Sequence, residues 1–290
     1  MTTAEALKYV REYYDISNPS EDDNFIFTEA LHYLIEETKV PKYMSELAWF
    51  YCEQKRFDLE IRYLEMAAEY GYAPAMEELG YMWYYGQHGE KDYEKAFYYF
   101  SKGAESGSMW SEYKLADMYK YGCYVKKDEE LYNKLIRAAY EKIKTPYHLN
   151  DPYPEITYRM AKILAEDGKN IDAAIMLRSA KRFMAERLSY DAFWGHIEVM
   201  ERIIRLIYSL TDVNMNKLDV YDIFGLILPN TRYTFKIGKK KYKIETDNEV
   251  AIKFEGTWYS DYKDFIQKAT IGNEKITKIY DELYGWEVLK

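Results

Sequence analysis

Four histidines and two cysteines are the side chains best suited to metal or nucleophilic chemistry, and neither set is spaced for it along the chain. His32, His88, His148 and His196 are scattered. None lies beside a cysteine or carboxylate in a ligand spacing such as His-x-x-x-His. Cys52 and Cys123 make neither a disulfide framework nor a metal-binding spacing. Glu77-Glu78 and Glu129-Glu130 are paired carboxylates, but helical neighbours point about 100° apart and form no dyad on one face. No glycine-rich loop follows a strand and opens a helix, so neither phosphate-binding fingerprint is met. A site assembled from Asp219, Asp222, Asp261 and His196 stays open as an alternative. The expectation is a protein that is not an enzyme and carries no cofactor or metal.

A second group could do electrostatic work. Arg232, Lys236, Lys239, Lys240, Lys241 and Lys243 fall within twelve residues with no acid among them. Tyr233, Phe235 and Tyr242 interleave with them. Basic and aromatic side chains on a sheet can hold phosphates and stack bases. Lysines also protect sheet edges from aggregation, and the aromatics would then face the module's own helices. Edge protection is the preferred expectation. Contact with nucleic acid, another acidic partner or a membrane surface is the alternative.

The elements that carry these residues change character once along the chain. From Tyr63 to Glu141 the sequence repeats at a period of 36 residues without a gap. Gly71 recurs as Gly107, Leu79 as Leu115, Met82 as Met118, and Tyr85-Gly86 as Tyr121-Gly122. Leu64, Phe100 and Ile136 make a threefold set, as do the small residues Ala67, Gly103 and Ala139. A fixed period in the mid-thirties marks stacked helix pairs. Ala75, Leu79, Met82 and Trp83 follow helical spacing. Gly86 and Gly89 stop the first helix of the unit, and Asp92 and Asp128 sit where the second needs an N-cap.

Gly71, Ala75, Leu79-Gly80, Trp83, Gly86, His88-Gly89, Asp92, Ala96, Phe100 and Ala104 resemble the Sel1-like repeat, a relative of the tetratricopeptide repeat. The copy at 107–143 is degenerate, with Ala116 for glycine and Ser111 for alanine. The resemblance is clearest over 59–143. Flanking segments look like shorter tetratricopeptide-type pairs. It implies a right-handed superhelical solenoid of antiparallel helix pairs whose first helices line a concave groove. In that geometry Trp49, Glu77, Tyr81, Tyr84, Trp110, Tyr113, Asp117 and Lys120 are the expected groove residues.

Beyond Thr211 the period changes from helix to strand. Tyr233–Ile237 and Tyr242–Ile244 alternate around a Gly238-Lys-Lys turn, and Glu249–Glu255 reads as a third strand. Ser260–Ala269 and Lys275–Leu283 read as short helices. The expected organisation is mainly α: a helical cap at 1–40, the repeat domain at 41–212, and a small α+β module at 213–290. Phe193, Ile197, Met200, Ile204 and Ile207 space an apolar helix that covers the last repeat or joins a second copy.

Residues 1–70 hold 7 basic and 15 acidic side chains, a net of −8 that disfavours wrapping nucleic acid over the whole surface. The 33 tyrosines suit the semi-exposed walls of a thin solenoid. Met1-Thr-Thr-Ala-Glu opens an amphipathic helix with no apolar signal core, and no run suffices for a membrane span. The expected protein is a cytoplasmic interaction scaffold that holds a peptide or protein segment. The alternative is a regulator whose basic module contacts nucleic acid or another acidic partner.

Overall fold

The computed structural model describes residues 1–143, 153–190, 194–211, 220–222, 230–249, 251–279 and 283–289. Its contacts divide the chain into two compact units, Met1–Ala139 and Tyr140–Lys290.

The first unit is helical throughout. It runs α1 (Thr3–Tyr13), α2 (Glu21–Thr38), α3 (Pro41–Glu53), α4 (Phe57–Glu69), α5 (Ala73–Tyr85), α6 (Tyr93–Glu105) and α7 (Met109–Tyr121), and α8 (Glu129–Ile143) crosses the division. Local chemistry sets the ends. Thr2 and Ser20 close capping boxes with Glu5 and Asp23. The Ser20 box starts α2 at Glu21, and Glu21, Asp22 and Asp23 favour the positive end of the helix dipole. Asp92 Oδ1 accepts from the Lys95 amide at 3.0 Å, and Asp128 Oδ1 from the Leu131 amide at 2.9 Å. Gly86 and Gly122 end their helices in the left-handed region at φ 68° and 73°, where a side chain would be strained.

Periodic residues form the core. Leu64, Phe100 and Ile136 are fully buried, and so are Ala67 and Ala139. Burial of each large side chain stabilises by about 1.5–3 kcal/mol. Gly103 has no side chain where Ser111 of α7 approaches it.

The second unit holds α9 (Pro154–Glu166), α10 (Asn170–Tyr190), α11 (Trp194–Leu210) and a 3₁₀ turn at Val220–Asp222. It continues with β1 (Arg232–Ile237), β2 (Lys240–Thr246), β3 (Ile252–Phe254), β4 (Thr257–Tyr259), α12 (Tyr262–Lys268), β5 (Thr270–Ile271), β6 (Glu274–Lys275) and β7 (Leu283–Leu289). Five strands form one antiparallel sheet in the order β4-β3-β2-β1-β7, and β5 pairs with β6. Phe235, Tyr242 and Phe254 stack on one face, and Phe265 of α12 meets Phe254 edge-on at 5.6 Å.

Four expectations change here. Lys275–Leu283 is not a helix: Lys275 ends β6 and Leu283 opens β7, with 280–282 outside the described residues. Lys275 pairs with Thr270 of β5 and Leu283 with Ile237 of β1, and this strand pairing overrides the local helical preference. That pairing also places β1 and β2 inside the sheet, so their lysines do not guard an edge. Contacts break after Ala139 rather than near 212. The reason is packing of α9–α11 with the sheet elements: Lys263 of α12 donates to Glu198 of α11 at 2.7 Å, and Lys181 of α10 donates to Asp222 at 2.7 Å. Finally, Ile197, Met200, Ile204 and Ile207 are buried within the unit, so the seam packs inside the chain and offers no free face to a second copy. Phe193 lies outside the described residues.

Candidate interaction face and a mixed-ligand cluster

On α5, Glu77, Tyr81 and Tyr85 fall four residues apart and share one face; on α7, Tyr113, Asp117 and Tyr121 do the same. Side chains join the two helices. Ser108 Oγ donates a short hydrogen bond to Glu77 Oε1. The hydroxyls of Tyr81 and Tyr113 meet at 2.5 Å. Lys114 Nζ donates to the Tyr85 hydroxyl at 2.7 Å. The same ammonium lies 4.7, 5.6, 5.0 and 5.2 Å from the ring centroids of Tyr81, Tyr84, Tyr85 and Tyr113. Aromatic faces attract a cation strongly once water is removed, and this lysine is buried.

The expected groove residues do not all share this face. Tyr113 and Asp117 are buried. Tyr84 turns toward Tyr93 and Phe100, and Trp110 rests against Tyr113 at 5.4 Å. Lys120 reaches Glu129 at 3.2 Å and covers the Tyr132 ring, so it serves the contact with α8. Trp49 is 46% exposed beside Tyr14 and borders a cleft of about 350 Å³ that Ile16, Phe50 and Glu53 also line. Two exposed members were missed: Tyr85 at 48% and Tyr121 at 57%. Their signal was present, since the pair repeats at the 36-residue period. Burial pushes the Glu77 carboxyl above its usual range, against the opposing hydrogen bond from Ser108.

The basic hairpin separates its two residue classes by face. Arg232, Lys236, Lys239, Lys240, Lys241 and Lys243 are exposed, whereas Tyr233, Phe235 and Tyr242 are buried on the side facing α12. Those rings are not available to stack on a base. Lys236 stands opposite Lys241, and Arg232 opposite Glu245. Glu245 also pairs with Lys243, and the surrounding cations hold its carboxyl below the usual range. Thr234, in the middle of the same row, is buried, so the basic row is not one open surface.

A third arrangement was invisible along the sequence. Cys52 near the end of α3, Glu60 in the first turn of α4 and His88 in the turn after α5 bring their ligand atoms within 4.8 Å of one another. Glu60 is fully enclosed, and Cys52 and His88 are half-buried. Phe57 stacks on the His88 ring at 3.8 Å and fixes its plane. His88 Nε2 lies 3.0 Å from Glu60 Oε2. That enclosed oxygen has no hydrogen-bond partner. Burial and then the facing Glu60 carboxylate push the Cys52 thiol up to about 11. Glu78 of α5 is close enough to feel both Glu60 and His88, and burial raises its carboxyl above the usual range. Glu60 and His88 are 28 positions apart, which is why no local spacing announced them. Among the described residues Asp222, Asp261 and His196 are not part of this group, and Asp222 instead accepts from Lys181. Asp219 lies outside them.

The Sel1 repeat matches residues 73–108 and 111–131. These two stretches are Sel1 repeats, and they cover α5, α6, α7 and the start of α8. No curated protein matches the chain. Among solved structures, a Sel1 repeat protein from Oxalobacter formigenes superposes with a TM-score of 0.51 at 18% identity, over 71% of this chain and 77% of that one. A protective antigen from uropathogenic Escherichia coli strains, displaying an SLR fold, aligns at 15% identity over 77% of this chain and 58% of that one, with a TM-score of 0.34. The first likeness establishes the solenoid fold and nothing of the partner.

Proposed function

Taking the Sel1 repeats as premise, we propose that this protein is a binding scaffold that holds a peptide segment of a partner protein against the first helices of its pairs. One observation carries this reading. Trp49, Tyr85 and Tyr121 lie on α3, α5 and α7, and all three are substantially exposed although each is large and aromatic. Tyrosine and tryptophan dominate the energetics of protein interfaces because they bury much area with few rotors. The cleft beside Trp49 would take an apolar anchor of the segment, and Glu53 at its rim favours a basic neighbour on that anchor. Tyr81, Glu77 and Trp110 then act as the partly covered floor and rim. Tyr113 and Asp117 hold the floor in place from below. No helix among the described residues is long and apolar enough to cross a membrane.

Contact of the basic row with an acidic partner is the second reading. The exposure of Arg232, Lys236, Lys239, Lys240, Lys241 and Lys243 along one hairpin favours it, since a run of cations attracts an acidic partner.

Partners captured by the full chain are identified, and binding is then remeasured with the purified partner by calorimetry. Retained affinity when both Trp49 and Tyr85 are alanine would place the interface elsewhere. An oligonucleotide titration at physiological salt tests the second reading, which requires a loss of binding on Lys236→Ala.

A further inference from the structure

We propose that Cys52, Glu60 and His88 form a binding site for a single thiophilic divalent cation of the zinc class. The residue types are the ones zinc selects: a thiolate, an imidazole nitrogen and a carboxylate oxygen, with bonds of about 2.0–2.3 Å. A tetrahedron of such bonds has edges of about 3.3–3.8 Å. The three ligand atoms already sit within 4.8 Å of one another, and the His88 to Glu60 edge is 3.0 Å. Closing the set needs side-chain adjustments rather than movement of a helix.

An independent observation points the same way. Glu60 Oε2 is enclosed and accepts no hydrogen bond, although a buried carboxylate oxygen without a donor is costly. It lies 3.0 Å from His88 Nε2. A cation would satisfy it. Charge agrees as well: with Cys52 as thiolate and Glu60 ionised, the site carries two negative charges around a neutral imidazole, matching a divalent ion. The thiol proton passes to solvent as the sulfur–metal bond forms. A water completes the fourth position.

The ligands come from two neighbouring helix pairs. Cys52 ends the first helix of one pair, Glu60 begins its second helix, and His88 lies in the turn of the next pair. A bound ion would therefore clip two neighbouring pairs together at their turns. Cys52 and His88 are partly open to solvent, which leaves an entry path. Soft thiolate with imidazole disfavours magnesium and calcium, which take oxygen ligands.

The full chain, stripped of metal by chelator, is titrated with Co²⁺ as a spectroscopic stand-in for zinc. We expect one ion per chain, tetrahedral visible bands, and a near-ultraviolet thiolate-to-cobalt charge-transfer band, all displaced by Zn²⁺. Cys52→Ser should abolish the charge-transfer band, and Cys123→Ser should leave it intact. His88→Gln and Glu60→Gln should each weaken binding at least tenfold. Circular dichroism establishes that each variant is folded. His88 lies in a turn, so its substitution tests the site without emptying the core. Overturning results are the absence of stoichiometric binding by the folded wild-type chain, a charge-transfer band that survives Cys52→Ser, or unchanged affinity in folded His88→Gln. Each would mean that the three residues form a closed polar contact and nothing more.

Discussion

Gly80 of α5 lies directly against the ring of Phe100 on α6: a Cβ at position 80 would fall inside the contact distance of the ring edge. Phe100 is itself fully buried. The two helices of this pair approach as closely as they do because one of them lacks a side chain there. Gly80→Ala should therefore destabilise by about 1–3 kcal/mol, and Gly80→Leu by more. Urea unfolding should show a lower midpoint with an unchanged slope. Adding Phe100→Leu to Gly80→Ala should recover part of the loss, which identifies the ring as the obstacle.

Lys114 is buried among four tyrosine rings and bonds the Tyr85 hydroxyl. Lys114→Met keeps the stem and removes the charge. The desolvated cation–π attraction predicts a loss of about 2 kcal/mol. An unchanged melting temperature would mean that the aliphatic stem alone fills the site.

Glu77 has its carboxyl raised by burial, so its charged form is disfavoured in the folded state. Above the folded value the group is ionised in both states and the full penalty stands. Below the unfolded value, near 4.5, it is protonated in both and the penalty vanishes. Glu77→Gln should thus equal or exceed the wild type in stability at pH 7, and that advantage should shrink to nothing below pH 4.5. Denaturant midpoints at the two pH values give the comparison. An advantage that grows on acidification would reverse the assignment.

Binding should be lost from one face only. Trp49→Ala and Tyr85→Ala are each expected to weaken partner affinity by about 1–2 kcal/mol or more, roughly tenfold or greater. Tyr98, on α6, is 55% exposed and serves as the control for the second helices. If Tyr98→Ala weakens binding while Trp49→Ala does not, the partner uses the opposite surface.

Lys236 faces Lys241 across the two central strands. Lys236→Glu places opposite charges across the pair and should stabilise the second unit by about 0.2–1 kcal/mol. A rise in its thermal midpoint at low salt, reduced at high salt, is the expected signature.

The helical architecture was legible because its determinants are local and repeat. Asp92 and Asp128 act as caps, Gly86 and Gly122 as stops, and Leu64, Phe100 and Ile136 as core, all readable from chemistry within a few residues of each position. The first strands of the sheet were legible for the same reason. What escaped depends on neighbours far along the chain. Lys275–Leu283 has a helical pattern, yet Lys275 pairs with Thr270 of β5 and Leu283 with Ile237 of β1, and the strand partner rather than local propensity decides the state of each. Whether Tyr113 or Tyr121 meets solvent turns on the helix packed beside it, and period alone treats both as walls. Cys52, Glu60 and His88 carry no sequence signature at all. They meet because stacking two helix pairs brings the end of one helix, the start of the next and a later turn to one point. Residue type and period specify which elements form and where they stop; only the packed chain decides which faces are covered and which distant side chains share a site.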